Sequence, residues 1–239
     1  MENTNAPKLL GILGGLGPMA TVYFYEMLTA HTKADTDQEH IDIIISSRAT
    51  TPDRTAYILG TSDASPIPAL VEETKRLTDA GASLIVMPCN TAHYFYEDLE
   101  KVCNVPMLNI VNETVRFCSE RGMKRIGILA TEGTIRSGTY SSVCEQYGIE
   151  AAIPSEASQG IINEIIYGQI KKGISPDVAS FLKVCDGLGE CDTFILGCTE
   201  LSLLKKYGLP EGRFTDSLEV LAYSTIKSCK KTPVGFSFL

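Results

Sequence analysis

The chain has 239 residues, 44% of them apolar and 21% charged, and carries a formal net charge of −8. That length allows one large domain or two modest ones around a substantial core, and no low-complexity tract breaks it. The negative balance, with no basic stripe to offset it, argues against a nucleic-acid partner, so an anionic ligand would need a local cluster of cations.

In chain order, Lys8 to Leu13 reads as a short apolar strand that ends in Gly14-Gly15-Leu16-Gly17-Pro18. Pro18 suits the first turn of a helix, and Met19, Val22, Tyr23 and Met27 recur at helical spacing. Ile41 to Ser46 is a second strand, rich in β-branched residues. It runs through the polar loop Ser47 to Thr55 into another helix, which Asp53 can cap. Val71 to Ala80 reads as a helix stopped by Gly81. Ser83 to Val86 is a strand leading to Met87-Pro88-Cys89-Asn90-Thr91-Ala92-His93, with a helix expected through Leu99 and a strand from Val105 to Ile110. Strands that are nearly all apolar and alternate with helices imply parallel sheets covered on both faces.

The pattern then restarts. Lys124 to Thr134 echoes the first strand and its turn, Ile149 to Pro154 is a strand, and Ile161 to Ile170 is an amphipathic helix that Gly173 should end. Thr193 to Leu196 leads into Gly197-Cys198-Thr199-Glu200-Leu201, and Arg213 to Asp216 ends a last strand. The order of parts implies an α/β chain of two pseudo-symmetric Rossmann-like domains, 1–112 and 113–216. The final segment 217–239, helical from about Ser217 to Lys230, is expected to pack back on the first.

No apolar run approaches the roughly 18 residues that span a membrane. Met1-Glu2-Asn3-Thr4-Asn5 lacks the basic-then-apolar pattern of a signal peptide, so a cytoplasmic location is expected. The 8 cysteines contain no Cys-x-x-Cys pair and read as free thiols in a reducing compartment. His31, His40 and His93 share no ligand spacing, so a metal is not expected.

Cys89 and Cys198 stand apart from the other six, which have no polar escort and read as core thiols. Each of the two follows an apolar strand and precedes a helix, whose N-terminal N–H groups should favour thiolate over thiol. Ligands in open parallel sheets bind at the carboxyl ends of strands, so a cleft between the domains would bring the two sulfurs face to face. Inverting an amino acid at Cα requires a base on one face and an acid on the other, and paired cysteines can supply both. The charge that develops on the α-carboxylate needs donors already in place, and Asn90, Thr91 and Thr199 stand one or two places after a cysteine.

Cys89-Asn90-Thr91-Ala92-His93 and Gly197-Cys198-Thr199-Glu200 resemble the twin cysteine motifs of the aspartate/glutamate racemase superfamily. Gly11 to Thr21 and Pro52-Asp53-Arg54-Thr55 resemble motifs of its aspartate racemase branch, as does Glu200 where cell-wall glutamate racemases usually carry His. The resemblance runs from about Lys8 to Ala222. It implies racemisation of an acidic amino acid, aspartate first and glutamate as the open alternative, with no cofactor and in a homodimer. It further implies that Cys89 and Cys198 are the acid/base pair, that Arg54 holds the substrate side-chain carboxylate, and that Lys171 assists it. A planar guanidinium takes a carboxylate in two parallel hydrogen bonds, which an ammonium cannot. Lys171 also suits the last turn before Gly173 through the helix dipole alone. His93 and Glu200 are candidates to tune a thiol or orient substrate. At one place the chain departs from the branch: Arg48, Ala49 and Thr50 replace an Asn-Pro-Gln segment, so Arg48 either adds a cation to the side-chain pocket or points to solvent.

Three other readings compete. Gly15-x-Gly17-x-x-Ala20 matches a dinucleotide fingerprint, and Arg48 could accept a 2′-phosphate, but it stands farther on than the usual about 20 residues. A maleate isomerase-like or malonate decarboxylase-like reaction could use the same twin-cysteine scaffold. A non-enzymatic acid-binding module would bind aspartate without exchanging its α-proton.

Overall fold

The computed structural model describes residues 9–238; Lys8, the N-terminal stretch Met1 to Asn5 and Leu239 lie outside the described residues. β1 (Leu10–Gly14), β2 (Ile43–Ser47), β3 (Leu84–Val86) and β4 (Met107–Leu108) form a parallel sheet ordered β2-β1-β3-β4. β5 (Arg125–Ala130), β6 (Glu150–Ala152), β7 (Thr193–Gly197) and β8 (Phe214–Asp216) repeat the order as β6-β5-β7-β8. Ile12 pairs with Ile45 and Val86, and Ile128 with Ile195. The central strands β1, β3 and β7 are buried throughout, which is why they read as unbroken apolar runs, while β2 at an edge is partly exposed.

α1 (Pro18–His31) follows β1, and α2 (Arg54–Ile58) and α3 (Ile67–Asp79) follow β2. α4 (Tyr96–Glu100) lies before β4, and α5 (Ile110–Glu120) carries the chain to the second sheet. There α6 (Glu132–Arg136) and α7 (Thr139–Gln146) follow β5, α8 (Glu156–Asn163) and α9 (Val178–Gly187) follow β6, and α10 (Ser217–Ser228) closes the fold. No helix among the described residues is long and apolar enough to cross a membrane.

One apolar core runs through both sheets. It joins Ile12 and Val86 of the first to Ile126 and Ile128 of the second through Val115 on α5, Phe24 on α1 and Leu221 on α10. Burying each such side chain contributes about 1.5–3 kcal/mol, so the halves are held together by the same term that folds each one. Separate clusters lie on the outer faces: Leu77 and Ile85 in the first half, Phe181 and Leu196 in the second. α10 packs on α1 and α5 and also meets β7 and β8. The boundary expected after residue 112 falls in the first turn of α5, whose apolar face is buried in the shared core. A domain boundary belongs in an exposed linker, so α5 is a joint component of both halves.

Several elements differ from their expected extents, each for a local reason. α3 begins at Ile67 rather than Val71, because proline is admitted in its first turn; Gly81, at φ 93, does stop it. β4 is cut short because Asn109 already caps α5, its Oδ1 accepting from the N–H of Val111 and Asn112. The segment expected as one helix from Ile161 to Ile170 starts at Glu156, where Ser155 caps it. It then widens into a π-helical stretch, Glu164–Gln169, and tightens to a 3₁₀ turn, Ile170–Lys172, before Gly173 at φ 70. After both cysteines the chain enters 3₁₀ turns, Thr91–Phe95 and Leu201–Tyr207, rather than regular α-helix.

Candidate active site

β3 and β7 occupy matching places in the two sheets, and Cys89 and Cys198 leave their carboxyl ends. Both sulfurs line one narrow cavity of about 290 Å³ together with Leu16, Arg54, Thr91, Thr131, Tyr167 and Lys171. The cavity opens into a wider cleft of about 1470 Å³, floored by Gly15, Gly17 and Ala20 and flanked by Ile170, Ile174 and Tyr207. Asp53, Arg54, Lys171 and Glu200 line both spaces and form the neck between them.

The glycine turn shapes this neck. Gly15 has φ 82, and a Cβ there would collide with the backbone of Arg48; its N–H donates to Thr21 Oγ1 at 3.0 Å. Gly17 has φ 122, and a Cβ there would stand 2.7 Å from Oε1 of Glu200. Gly15 therefore lines the outer cleft as backbone, not as a group that reaches the thiols. The Glu200 carboxylate lies against the turn in which a dinucleotide fingerprint would cradle a pyrophosphate, which opposes the NADP reading.

The thiols are not poised as thiolates. Burial pushes Cys89 up, against the pull of the Arg54 guanidinium and of the Ala92 N–H. Cys198 is pushed well above its usual value by burial and by the Glu200 carboxylate, although the Glu200 N–H and Lys171 draw it down. The expectation of a helix terminus lowering both values is thus corrected. A backbone N–H from the following turn does reach each sulfur, but 3₁₀ turns carry little aligned dipole and desolvation outweighs them. The Cys198 thiol donates to Oε2 of Glu200 at 2.9 Å, and Oε1 of Glu200 pairs with Lys171 Nζ at 3.3 Å.

Arg54 begins α2, whose N-terminus Asp53 caps by accepting from the Ala56 N–H at 2.7 Å. Its Nη1 donates to the carbonyls of Thr51 and Pro52, while its buried Nε finds no acceptor among the described residues. α2 crosses to the second half. Gly133 on α6 lies against Thr55, and Tyr167 donates to Thr55 Oγ1 at 2.9 Å. Lys171 Nζ stands 4.9 Å from the Tyr167 ring centre, and the Lys171 ammonium, though penalised by burial, is raised overall by Glu200 and Cys198. Tyr167 and Thr131 are site residues that sequence reasoning did not assign. Tyr167 lies in the π-helical stretch and Lys171 in the 3₁₀ turn after it, a change of winding that a 3.6-residue period cannot show.

The expected donors separate. Thr91 Oγ1 bonds Thr131 Oγ1 at 2.9 Å and accepts from Thr134, and Thr199 Oγ1 donates weakly to Glu200, so hydroxyls from both halves border the cavity. The Asn90 amide is committed elsewhere: Nδ2 donates to Ser217 and Oδ1 accepts from Tyr140 at 2.6 Å. Its side chain therefore ties the Cys89 turn to α10 and α7 while also lining the cavity. His93 is turned away from the cavity. Its Nε2 accepts from the Ile110 N–H at 3.2 Å, which leaves Nδ1 to donate to the Cys89 carbonyl at 2.8 Å. Burial pushes His93 down to about 4, so it is a neutral brace behind Cys89. Arg48 adds no cation to the pocket: its Nη1 pairs with Glu72 at 2.5 Å and Glu73 at 3.3 Å on α3.

The sequence profile describing the Asp/Glu/hydantoin racemase family matches residues 13–218. The chain is 28% identical over 227 residues to the broad specificity amino-acid racemase RacX of Bacillus subtilis (strain 168), covering 92% of this chain and 97% of that protein. Its fold matches that of the Picrophilus torridus aspartate racemase at 32% identity and a TM-score of 0.82, covering 95% and 96% of the two chains. The glutamate racemase isoform RacE1 of Bacillus anthracis, at 18% identity and a TM-score of 0.65, shares the fold over 93% of this chain and 82% of its own.

Proposed function

This chain belongs to the Asp/Glu/hydantoin racemase family and is an amino-acid racemase; from that premise we propose that it interconverts the enantiomers of an acidic amino acid, L-aspartate foremost, using Cys89 and Cys198. The carrying observation is that two buried cysteines, one from the end of each sheet, line one cavity beside a buried guanidinium nitrogen that lacks an acceptor among the described residues. An unpaired buried donor costs about 1–3 kcal/mol, and a carboxylate at Arg54 Nε would recover it.

In this reading one sulfur acts as thiolate and removes the α-proton, while the other, as thiol, delivers a proton to the opposite face. Cys89 is the better base, since Arg54 favours its anion, and Cys198 is the better acid, since Glu200 opposes its ionisation. Charge building on the α-carboxylate meets the hydroxyls of Thr91, Thr131 and Thr199, and Lys171 assists Arg54 at the side-chain carboxylate. Loss of optical rotation from L-aspartate and from L-glutamate tests the proposal, with maleate and a malonate as controls for the rival reactions. Turnover of either control without racemisation would replace this reading with its rival.

A further inference from the structure

We propose that Glu200 is the relay through which Cys198 regains and releases its proton between turnovers, an inference that rests on the two-thiol reading above. Two-base racemisation leaves the enzyme altered. The sulfur that took the α-proton is now a thiol, and the sulfur that gave a proton is now a thiolate. Before the same enantiomer reacts again, one sulfur must lose a proton to water and the other must gain one.

Burial makes that exchange difficult without help. Cys89 is 6% exposed and Cys198 5%, so neither thiol meets bulk water directly. Of the four residues that line both spaces, Glu200 is the one hydrogen-bonded to Cys198 among the described residues. Its Oε2 accepts from the Cys198 thiol at 2.9 Å, and its side chain lines the outer cleft against Gly17 as well as the narrow cavity. The other titratable or charged groups facing the neck are Asp53, Arg54, Cys89, Tyr167 and Lys171. Lys171 is held as an ammonium by Glu200 and Cys198 and keeps its own proton. Asp53 is occupied in capping α2.

The steps balance. A proton from water in the cleft joins the Glu200 carboxylate; the new O–H bond then breaks as the S–H bond of Cys198 forms. The carboxylate is restored, still paired with Lys171. Meanwhile Cys89 releases one proton to water that enters the cavity after product leaves, so one proton goes in and one comes out. Turnover of the other enantiomer runs the same path in reverse.

The test compares the full-length wild type with Glu200→Gln, using L- and D-aspartate. Glutamine keeps the size and the acceptor but cannot carry a proton. Slow recovery of the free enzyme limits turnover only at saturation, so kcat is expected to fall about tenfold or more and several-fold further than kcat/KM, which loses only what Glu200 contributes to holding the Cys198 proton. Added formate, a small proton carrier, should restore kcat of the variant several-fold and leave wild type unchanged. Glu200→Asp, with the same ionisable group on a shorter stem, should show the same split to a smaller degree, and it carries the test if the glutamine variant does not fold. Equal losses in kcat and kcat/KM with no response to formate would overturn the relay, since a structural or thiol-tuning role acts on both constants. A wild type that racemises no amino acid removes the two-thiol reading itself, and that outcome is read before any variant is compared.

Discussion

Cys198 donates its thiol hydrogen to Glu200 at 2.9 Å, and the same carboxylate holds Lys171 at 3.3 Å. This chain of three residues makes the two sulfurs chemically unequal although the strands that present them are equivalent. Cys89 faces the cation of Arg54, whereas Cys198 faces an anion, and both are desolvated.

That inequality predicts different reactivity. Iodoacetamide at pH 8 should label Cys89 before Cys198, because the thiolate is the nucleophile. In Glu200→Gln the label on Cys198 should accelerate, since the opposing charge is gone. Peptide mass spectrometry over a time course reads both rates, and Cys198 labelling first in wild type would reverse the assignment of base and acid.

Removing either sulfur should stop the reaction. A positioned acid or base contributes about 10²–10⁴-fold, so Cys89→Ala and Cys198→Ala should each lose at least that much racemisation. Each single variant can still exchange the α-proton from one face without inversion. A variant keeping near-full racemisation would end the two-base mechanism.

Arg54 should set substrate preference. Its loss removes charge-assisted hydrogen bonds worth about 1.5–3 kcal/mol, or about 10- to 100-fold in kcat/KM for aspartate. Arg54→Lys should recover little, because an ammonium lacks the fork. Measured against alanine, an unchanged preference for aspartate in Arg54→Ala would count against a side-chain carboxylate at this residue.

Asn90 should report on the joint between the halves. Asn90→Ala leaves the buried Tyr140 hydroxyl and Ser217 without a shared partner, so urea unfolding should show a loss of about 2–4 kcal/mol. Combining it with Tyr140→Phe should cost less than the two single changes added together. Simple additivity would mean the bridge carries no coupling.

His93 gives the fold a pH dependence. Its value is about 4 in the folded chain against about 6.5 when unfolded, so the unfolded chain binds more protons between those limits. Stability from this residue is present above about 6.5 and is lost as pH falls toward 4, by up to about 3 kcal/mol. Urea midpoints from pH 7 down to pH 5 should fall in wild type and flatten in His93→Gln. Equal slopes in the two proteins would contradict a buried neutral brace.

The twin strands and their cysteines were legible because buried parallel strands leave unbroken apolar runs, and the repeat of Lys8-to-Gly14 at Lys124 marked the second half. Asp53 as a cap and Arg54 at a helix start followed from local chemistry alone. What stayed hidden were properties of distance. Asn90 and His93 stand in the first turn after Cys89, just where substrate donors belong, and only the packed fold reveals Ser217, Tyr140 and the Ile110 N–H as their partners. Arg48 was undecided for the same reason: Glu72 and Glu73 lie a helix away in sequence. The raised thiols were missed because a turn's N–H groups are visible in sequence and desolvation is not.

The central claim is that Cys89 and Cys198 exchange the α-proton of an acidic amino acid with solvent. Wild type incubated with L-aspartate in deuterium oxide tests it most directly, by following chirality and α-deuteration together. The account predicts that D-aspartate appears and carries deuterium at Cα. No deuterium at Cα of aspartate, glutamate or any other acidic amino acid would contradict it.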